Sequence, residues 1–557
     1  MWLWGLNVLR FGHPASWAVA LLPFVLVIPG VGAAIGRALG SLGDRAAPAP
    51  ATAAVICGLL AGATALLLPD RSLFVGDSLL RFGRLGMGQW VPGLFPQAMP
   101  LDVFFHFTLP TALARAGGLS PTDVDRWTSA LKAGLLGAAA VTLISAFALR
   151  GIAAVAAVAT AVFAGSLAIF CGYSKAFVEM TLLTGAFAGF GALAITKARG
   201  LLPATLAFTL ALATHRAAAL LIAPWLVLIA MTARTHWGRG RAGRASLTIA
   251  IAGGLAALAL TVPRIVAIAR AVDRQHVLPG GTSAAGALRL ALDPLRLIDI
   301  ANLFLLLTPL VPLLVLVAVL DRTALVRSGA HRWLLLLAVL HVGAVAVVHP
   351  QQGFFRDWDI AVAAAAALSF YLAAVFGSTL SASRAPRPAG AAIALVAVAS
   401  TLPWMALNTS LPHTVARVGA FVREPPPKPA QTLGHSYRYL GLVLQDSGHP
   451  EQGARVMARA VELVPSESNY LLWATLEIRS GRLPEAQRIY RVMAERFNGF
   501  PNWMALARCS AQLGDSAEVV RAAGRALELR AGDAEARALS ERFRPGPARA
   551  AAGSSPR

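Results

Sequence analysis

Glutamate is nearly missing from the first three quarters of the sequence: Glu179 is the only one before Glu424. Charged residues make up only 14% of the 557-residue chain, against 57% hydrophobic residues, at a mean hydropathy of +0.63. A chain folding around one water-facing surface needs far more charge, so the bulk of this one belongs in lipid. Cysteine is equally scarce. Cys57, Cys171 and Cys509 lie far apart, with Cys57 inside an apolar run, which excludes a disulfide framework and a CxxC metal site. The net charge of +22 invites a nucleic-acid reading. The basic residues are spread between apolar runs, however, with no aromatic-rich RNA motif and no zinc spacing, so no nucleic-acid partner is expected.

What is there is a succession of apolar runs. A run of about 20 residues crosses a bilayer core of about 30 Å. On that criterion about twelve spans are expected, near 16–35, 51–68, 129–149, 151–170, 177–196, 200–214, 217–232, 247–269, 298–320, 333–348, 360–378 and 390–406. Residues 16–35 show no convincing cleavage site before Arg37 and are expected as a retained helix. The fold class is therefore an all-α polytopic membrane bundle over 1–406, followed by a Pro-rich linker over 407–433, a soluble helical-repeat domain over 434–545 and a disordered tail over 546–557.

The short loops carry an asymmetry. Arg37, Arg45, Arg150, Lys197, Arg199, Arg234, Arg239, Arg241, Arg244, Arg322, Arg327, Arg332, Arg384 and Arg387 all fall on one side, which the positive-inside rule makes cytoplasmic. Nearly all the acidic residues before 406 fall on the other side, where they point to a polar working surface. The largest loop, 69–127, is the first exoplasmic one, and its stretch LDVFFHFTLPTALARA suits helices lying in the interface. An even number of spans after an exoplasmic start puts the repeat domain on the exoplasmic side as well.

Beyond the proline triplet 425–427, Gly448, Gly481 and Gly514 recur at 33 residues, each between two amphipathic stretches. A fixed period of this size means stacked helical hairpins. The pattern resembles the tetratricopeptide repeat: Tyr437, Leu440, Gly441, Ala460 and Pro465 stand where that family puts them in the first unit. Ala486 fits the second unit and Trp503, Leu506 and Ala526 the third, while Met493 replaces an alanine. Such a surface is expected to hold a protein partner, with a scaffold or dimerisation element as the alternative.

Several ionisable residues stand out in the membrane part. In FVGDSLLRFGR, Asp77, Arg81 and Arg84 are spaced i, i+4, i+7 and would share a helix face, where a carboxylate beside cations stays ionised. An interfacial salt bridge with no chemistry explains the same spacing. Asp102 and His106 also lie i, i+4. Glu179 stands at the edge of a span with Lys175 one turn away as its evident partner, as a functional or a structural pair. His215 and Arg216 separate two apolar runs, Arg356 opens a late span in a position to bind phosphate, and Asp359 reads as a cap of that helix. Arg264, Arg270, Arg274 and His276 cluster around Asp273, where attraction to anionic lipid is the plain explanation.

Taken in order, Asp77, FPQAMPLDVFF, Lys175 with Glu179, His215–Arg216 and Arg356 resemble the motifs of the C-type (GT-C) membrane glycosyltransferases. The resemblance implies that Asp77 is the catalytic base for an acceptor and that Arg356, with Arg216 or Arg270, clamps the phosphate of a polyprenyl-phosphate sugar. It places Asp102, His106, Lys175, Glu179, His215 and Arg81 in support of the acceptor or of a metal. The sequence departs from that family in having Asp77–Ser78 for its Asp-Glu pair, His215–Arg216 for its usual lysine, and one extra helix at 16–35. No cofactor is firmly implied, and a divalent metal ion is left open. The layout is similar to that of transmembrane, repeat-containing O-mannosyltransferases, while the Ala-, Gly- and Arg-rich composition points to a bacterial inner membrane with the repeats in the periplasm. Expected partners are membrane lipid, a polyprenyl-phosphate sugar, a protein or glycan acceptor, and a protein held by the repeats. The alternatives are an enzyme like the O-antigen polymerases and ligases, or a non-enzymatic scaffold for envelope assembly.

Overall fold

The computed structural model describes residues 1–28, 30–88, 90, 92–277, 283–383 and 386–544. The expected disordered tail lies outside these residues, as do Arg384 of the basic loops and Pro29 of the first expected span. The chain divides into two compact units, Met1–Arg417 and Val418–Arg557. Among the described residues every regular element is helical.

Among the described residues of the first unit eight helices are long and apolar enough to cross a membrane, or up to ten if each of two bent pairs is one span. Each of the twelve expected spans falls on one of these or on the shorter apolar helices Gly151–Val162 and Leu201–Thr214. The expected span 298–320 is not straight: Pro294–Leu307 and Val311–Leu320 meet at 95°. Pro309 explains the break, because it lacks an N–H and drives Thr308 out of the helical region, to φ −141° and ψ 70°. Likewise 151–170 is helical only to Val162, with a short 3₁₀ turn over Gly165–Phe170.

Glycine sets the close packing of this unit. Pro50–Leu67 crosses Pro121–Phe147 at Gly58, Gly134 and Gly137, and a Cβ on Gly137 would stand 2.5 Å from the carbonyl oxygen of Cys57. Where apolar side chains gain nothing by leaving lipid, such backbone approach is what drives helix association. Trp358–Ala382 is the innermost span, with 94% of its apolar window buried. It begins at the same end of the bundle as Pro121–Phe147 and Phe177–Lys197, so Asp359, Asp125 and Glu179 in their opening turns converge at that end. Their far ends carry the basic residues Arg150 and Lys197.

The loop 69–127 folds back on this end. It holds the helix Ser78–Gly86 and a continuous helical stretch made of Pro100–Val103, a π-turn over Phe104–Thr108, and Leu109–Gly117. The stretch 407–433, expected as an extended linker, is helical over Leu411–Arg423. Pro412 suits a first helical turn. Arg417 is buried, donates to the Trp4 carbonyl and lies over the rings of Phe355 and Trp404. Residues 409–410 and 424–429, the latter around the proline triplet, stay non-helical.

The second unit continues from Ala430–Asp446 through Phe543 as consecutive helices that each pack on the next. Gly448, Gly481 and Gly514 adopt φ of +80°, +73° and +74° in the turns, a region closed to most side chains. Gly441 lets paired helices approach, since a Cβ there would stand 2.6 Å from Cγ of Met457. Met493, Trp503, Leu506 and Ala526 share one buried core.

Candidate active site

Asp77 sits at the N-cap position of Ser78–Gly86 but does not cap it. Its carboxylate instead faces two cations. Lys175 Nζ is 2.7 Å from Asp77 Oδ1, and Arg81 Nε is 3.3 Å from Asp77 Oδ2. Burial alone would raise the pKa of Asp77, but the Lys175 ammonium and then the Arg81 guanidinium outweigh it and hold the carboxyl well below the ordinary carboxylate range. Arg81 in turn grips Asp102 through two parallel hydrogen bonds of 2.9 Å and donates a third, at 3.3 Å, to the carbonyl of Ser174. That fork geometry is open to arginine and closed to lysine.

Lys175 has a second carboxylate, Asp359, at 2.5 Å. Burial works against its charge, yet Asp359 and Asp77 together raise its pKa above the usual lysine value. Asp357 lies beside this pair, accepting a hydrogen bond from the Gln352 backbone N–H at 3.1 Å. Burial and the neighbouring Asp359 push its pKa up. Gly76 makes the approach of Lys175 possible: it adopts φ +48°, and a Cβ there would stand 2.6 Å from Lys175 Nζ.

A second cluster lies behind the first. His106 Nε2 is 2.7 Å from Glu179 Oε2, and Nδ1 is 3.3 Å from Asp125. Lys132 Nζ pairs with the other Glu179 oxygen at 2.5 Å. Burial favours the neutral ring of His106, but Glu179 and the bond to Asp125 overcome it and push the pKa up to about 9.

Two expected pairs are therefore re-partnered. Asp102 and His106 do not pair with each other, because each is held by partners from other elements. Asp102 goes to Arg81, and His106 to Glu179 and Asp125. Lys175 and Glu179 also part, because the helix begins only at Phe177 and Lys175 precedes it. Arg84 makes no ion pair among the described residues.

The arginines expected to clamp phosphate divide in the same way. Arg356 is buried and donates to the carbonyls of Phe74 and Gly76, both at 3.1 Å, so it fixes the backbone that presents Asp77. Arg216 pairs with Asp273 at 2.6 Å and lies 3.3 Å from the ring of His215, which packs against Phe177. Burial, and then the nearby Arg216, hold the His215 pKa well below its ordinary value. Arg270 is exposed in the π-turn Ala269–Asp273, outside the ion-pair network.

Sequence reasoning missed Lys132, Asp125 and the role of Asp359. A signal existed for Lys132: it is the one lysine in the apolar helix Pro121–Phe147, and an intramembrane cation demands a partner. Nothing in the sequence distinguished Asp359 from an ordinary cap. Among the described residues no group of three His, Cys, Asp or Glu side chains is arranged to hold a metal. Between Asp77 and Asp359, where a cation would sit, stands the ammonium of Lys175.

No family model and no curated protein matches the chain. Solved structures similar to it include ArnT from Cupriavidus metallidurans in the apo state, 13% identical with a TM-score of 0.37, and the same protein bound to undecaprenyl phosphate, 13% identical with a TM-score of 0.36. In both cases 79% of this chain and 80% of the other is covered. At that score the likeness carries no functional argument, and what the chain does is read from its residues.

Proposed function

We propose that this chain is a membrane glycosyltransferase of the GT-C type, moving a sugar from a polyprenyl-phosphate donor to a protein or glycan acceptor on the exoplasmic side. The observation that carries this reading is the exposure of Asp77. Its side chain is 31% exposed, whereas Lys175, Arg81, Asp102 and Asp359 around it are 9%, 8%, 3% and 1% exposed. Among Asp77, Lys175, Arg81, Asp102 and Asp359 it is thus the ionised carboxylate of Asp77 that reaches the surface, with partly exposed Asp357 beside the network, at the end of a lipid-embedded bundle.

Glycosyl transfer needs an acceptor hydroxyl oriented and relieved of its proton, and a departing phosphate stabilised by cations. Asp77 accepts a hydrogen bond from that hydroxyl and takes its proton as the bond to the sugar forms. Lys175 and Arg81 keep it ionised beforehand. Arg216, with the exposed Arg270 nearby in the same cluster around Asp273, is the proposed phosphate clamp, while Arg356 acts through the backbone of Phe74 and Gly76. The hairpins of the second unit are tetratricopeptide-like repeats that bind the acceptor or a partner, in the periplasm of a bacterial cell.

Purified full-length chain given a labelled polyprenyl-phosphate sugar and a periplasmic extract tests the reading. Label passing to a protein or glycan is the expected result. Donor that stays intact across a panel of sugars and extracts, while the chain is folded, counts against it.

A further inference from the structure

At the other end of the bundle the structure holds a cavity of about 640 Å³ with nothing to do with Asp77. Asp359 and Ser381 lie near opposite ends of Trp358–Ala382, about 33 Å apart at 1.5 Å per residue, so cavity and candidate active site sit at opposite faces of the bilayer. Arg37, Arg150 and Arg387 line the cavity, against the single carboxylate of Asp44. All three arginines are exposed, and among the described residues none of them makes an ion pair.

The walls are built closely. A Cβ on Gly43 would stand 2.0 Å from the carbonyl oxygen of Gly151, and one on Gly36 2.9 Å from Arg387. The helices Val31–Ala46, Gly151–Val162 and Pro386–Asn408 therefore meet backbone to backbone here, and the cavity is the space left where they end. Gly151, Ile152 and Ala153, the opening turn of the twelve-residue helix Gly151–Val162, line it too. Backbone N–H groups of a first turn have no partner within their own helix and favour an anion.

We propose that this cavity binds a phosphate group, with three guanidiniums and the opening turn of Gly151–Val162 as its donors. Its place at the ends of spanning helices makes an anionic phospholipid headgroup the natural source, and a free phosphate compound in the aqueous phase shares the same chemistry. Guanidinium recognises phosphate in two-point fashion, and each arginine near an anionic surface adds to the attraction. A defined cavity turns that diffuse attraction into a site.

The full chain in neutral detergent is titrated with phosphatidylglycerol, with phosphatidylcholine of the same acyl chains, and with inorganic phosphate as competitor, and bound lipid is counted by native mass spectrometry. Wild type is expected to prefer phosphatidylglycerol by about tenfold or more. Arg150→Gln with Arg387→Gln should abolish that preference, and Arg45→Gln, on the same face but outside the cavity lining, should keep it. Unfolding temperature read alongside shows that the variants are folded, and it should rise with phosphatidylglycerol in wild type and Arg45→Gln but not in the double variant. Displacement of the lipid by millimolar inorganic phosphate supports the site and assigns it a soluble ligand; resistance to displacement assigns it to lipid. Equal binding of the two lipids together with no binding of phosphate, or an unchanged preference in the folded double variant, overturns the proposal.

Discussion

Lys175 Nζ lies 2.7 Å from Asp77 and, on its other side, 2.5 Å from Asp359. One ammonium thus ties the first large loop to the head of the innermost span, although Asp77 and Asp359 are 282 residues apart in sequence. Replacing it with methionine strips Asp359 of its cation and leaves Asp77 with Arg81 alone. Lys175→Met should lower stability by about 3 kcal/mol, measured by thermal or denaturant unfolding in detergent. An unfolding midpoint equal to that of wild type would show the pair to be decorative.

Gly76 offers a smaller perturbation of the same relationship. With φ at +48° and Lys175 Nζ within 2.6 Å of where a Cβ would stand, Gly76→Ala should push the ammonium off Asp77. Transfer should fall about 100-fold while the chain still folds. A wild-type rate in this variant contradicts the geometry.

His106 predicts a pH dependence. Its pKa rises from 6.5 to about 9 in the folded chain, so its pairing with Glu179 and Asp125 contributes stability fully below pH 6.5 and loses it as pH climbs through 9. The gap in unfolding temperature between wild type and His106→Gln should be widest in mild acid and close towards pH 9. A gap that widens with pH would reverse the assignment of charge to this ring.

The helices and the end at which polar residues gather were legible in the sequence, because lipid solvation forces long apolar runs and sorts charge between faces. The pairings were not. Arg81 was read beside Asp77 and does pair with it, but its stronger partner Asp102 is 21 residues away, and the route between them depends on how the loop folds back. Asp102 with His106 and Lys175 with Glu179 were expected from helical spacing. Partners from distant elements took Asp102 and His106, and a helix that starts at Phe177 left Lys175 outside it; neither shows in the pattern of apolar residues. Arg356 carried a phosphate-binding residue type into a place where two backbone carbonyls take its donors.

That last assignment separates by kinetics. Arg356→Lys cannot reach both carbonyls, so it should lower kcat by about tenfold or more while leaving the donor KM near wild type. A phosphate clamp would show the opposite split. Arg216→Ala is expected to raise the donor KM, and an unchanged KM there would remove Arg216 from the donor site.

Orientation has its own test. A periplasm-active reporter fused after residue 430 should be active, and a reporter that works only in the cytoplasm should be silent at the same position. The reverse result would put the helical hairpins on the side away from the acidic residues and separate them from the proposed acceptor.

The proposed role of Asp77 as the base that takes the acceptor's proton is tested by single-turnover sugar transfer by Asp77→Asn, with donor binding measured on the same sample. A rate at least about 100-fold below wild type with donor affinity little changed is expected, since the amide keeps the shape and loses the proton acceptor. A folded Asp77→Asn chain that transfers sugar at the wild-type rate would contradict that role.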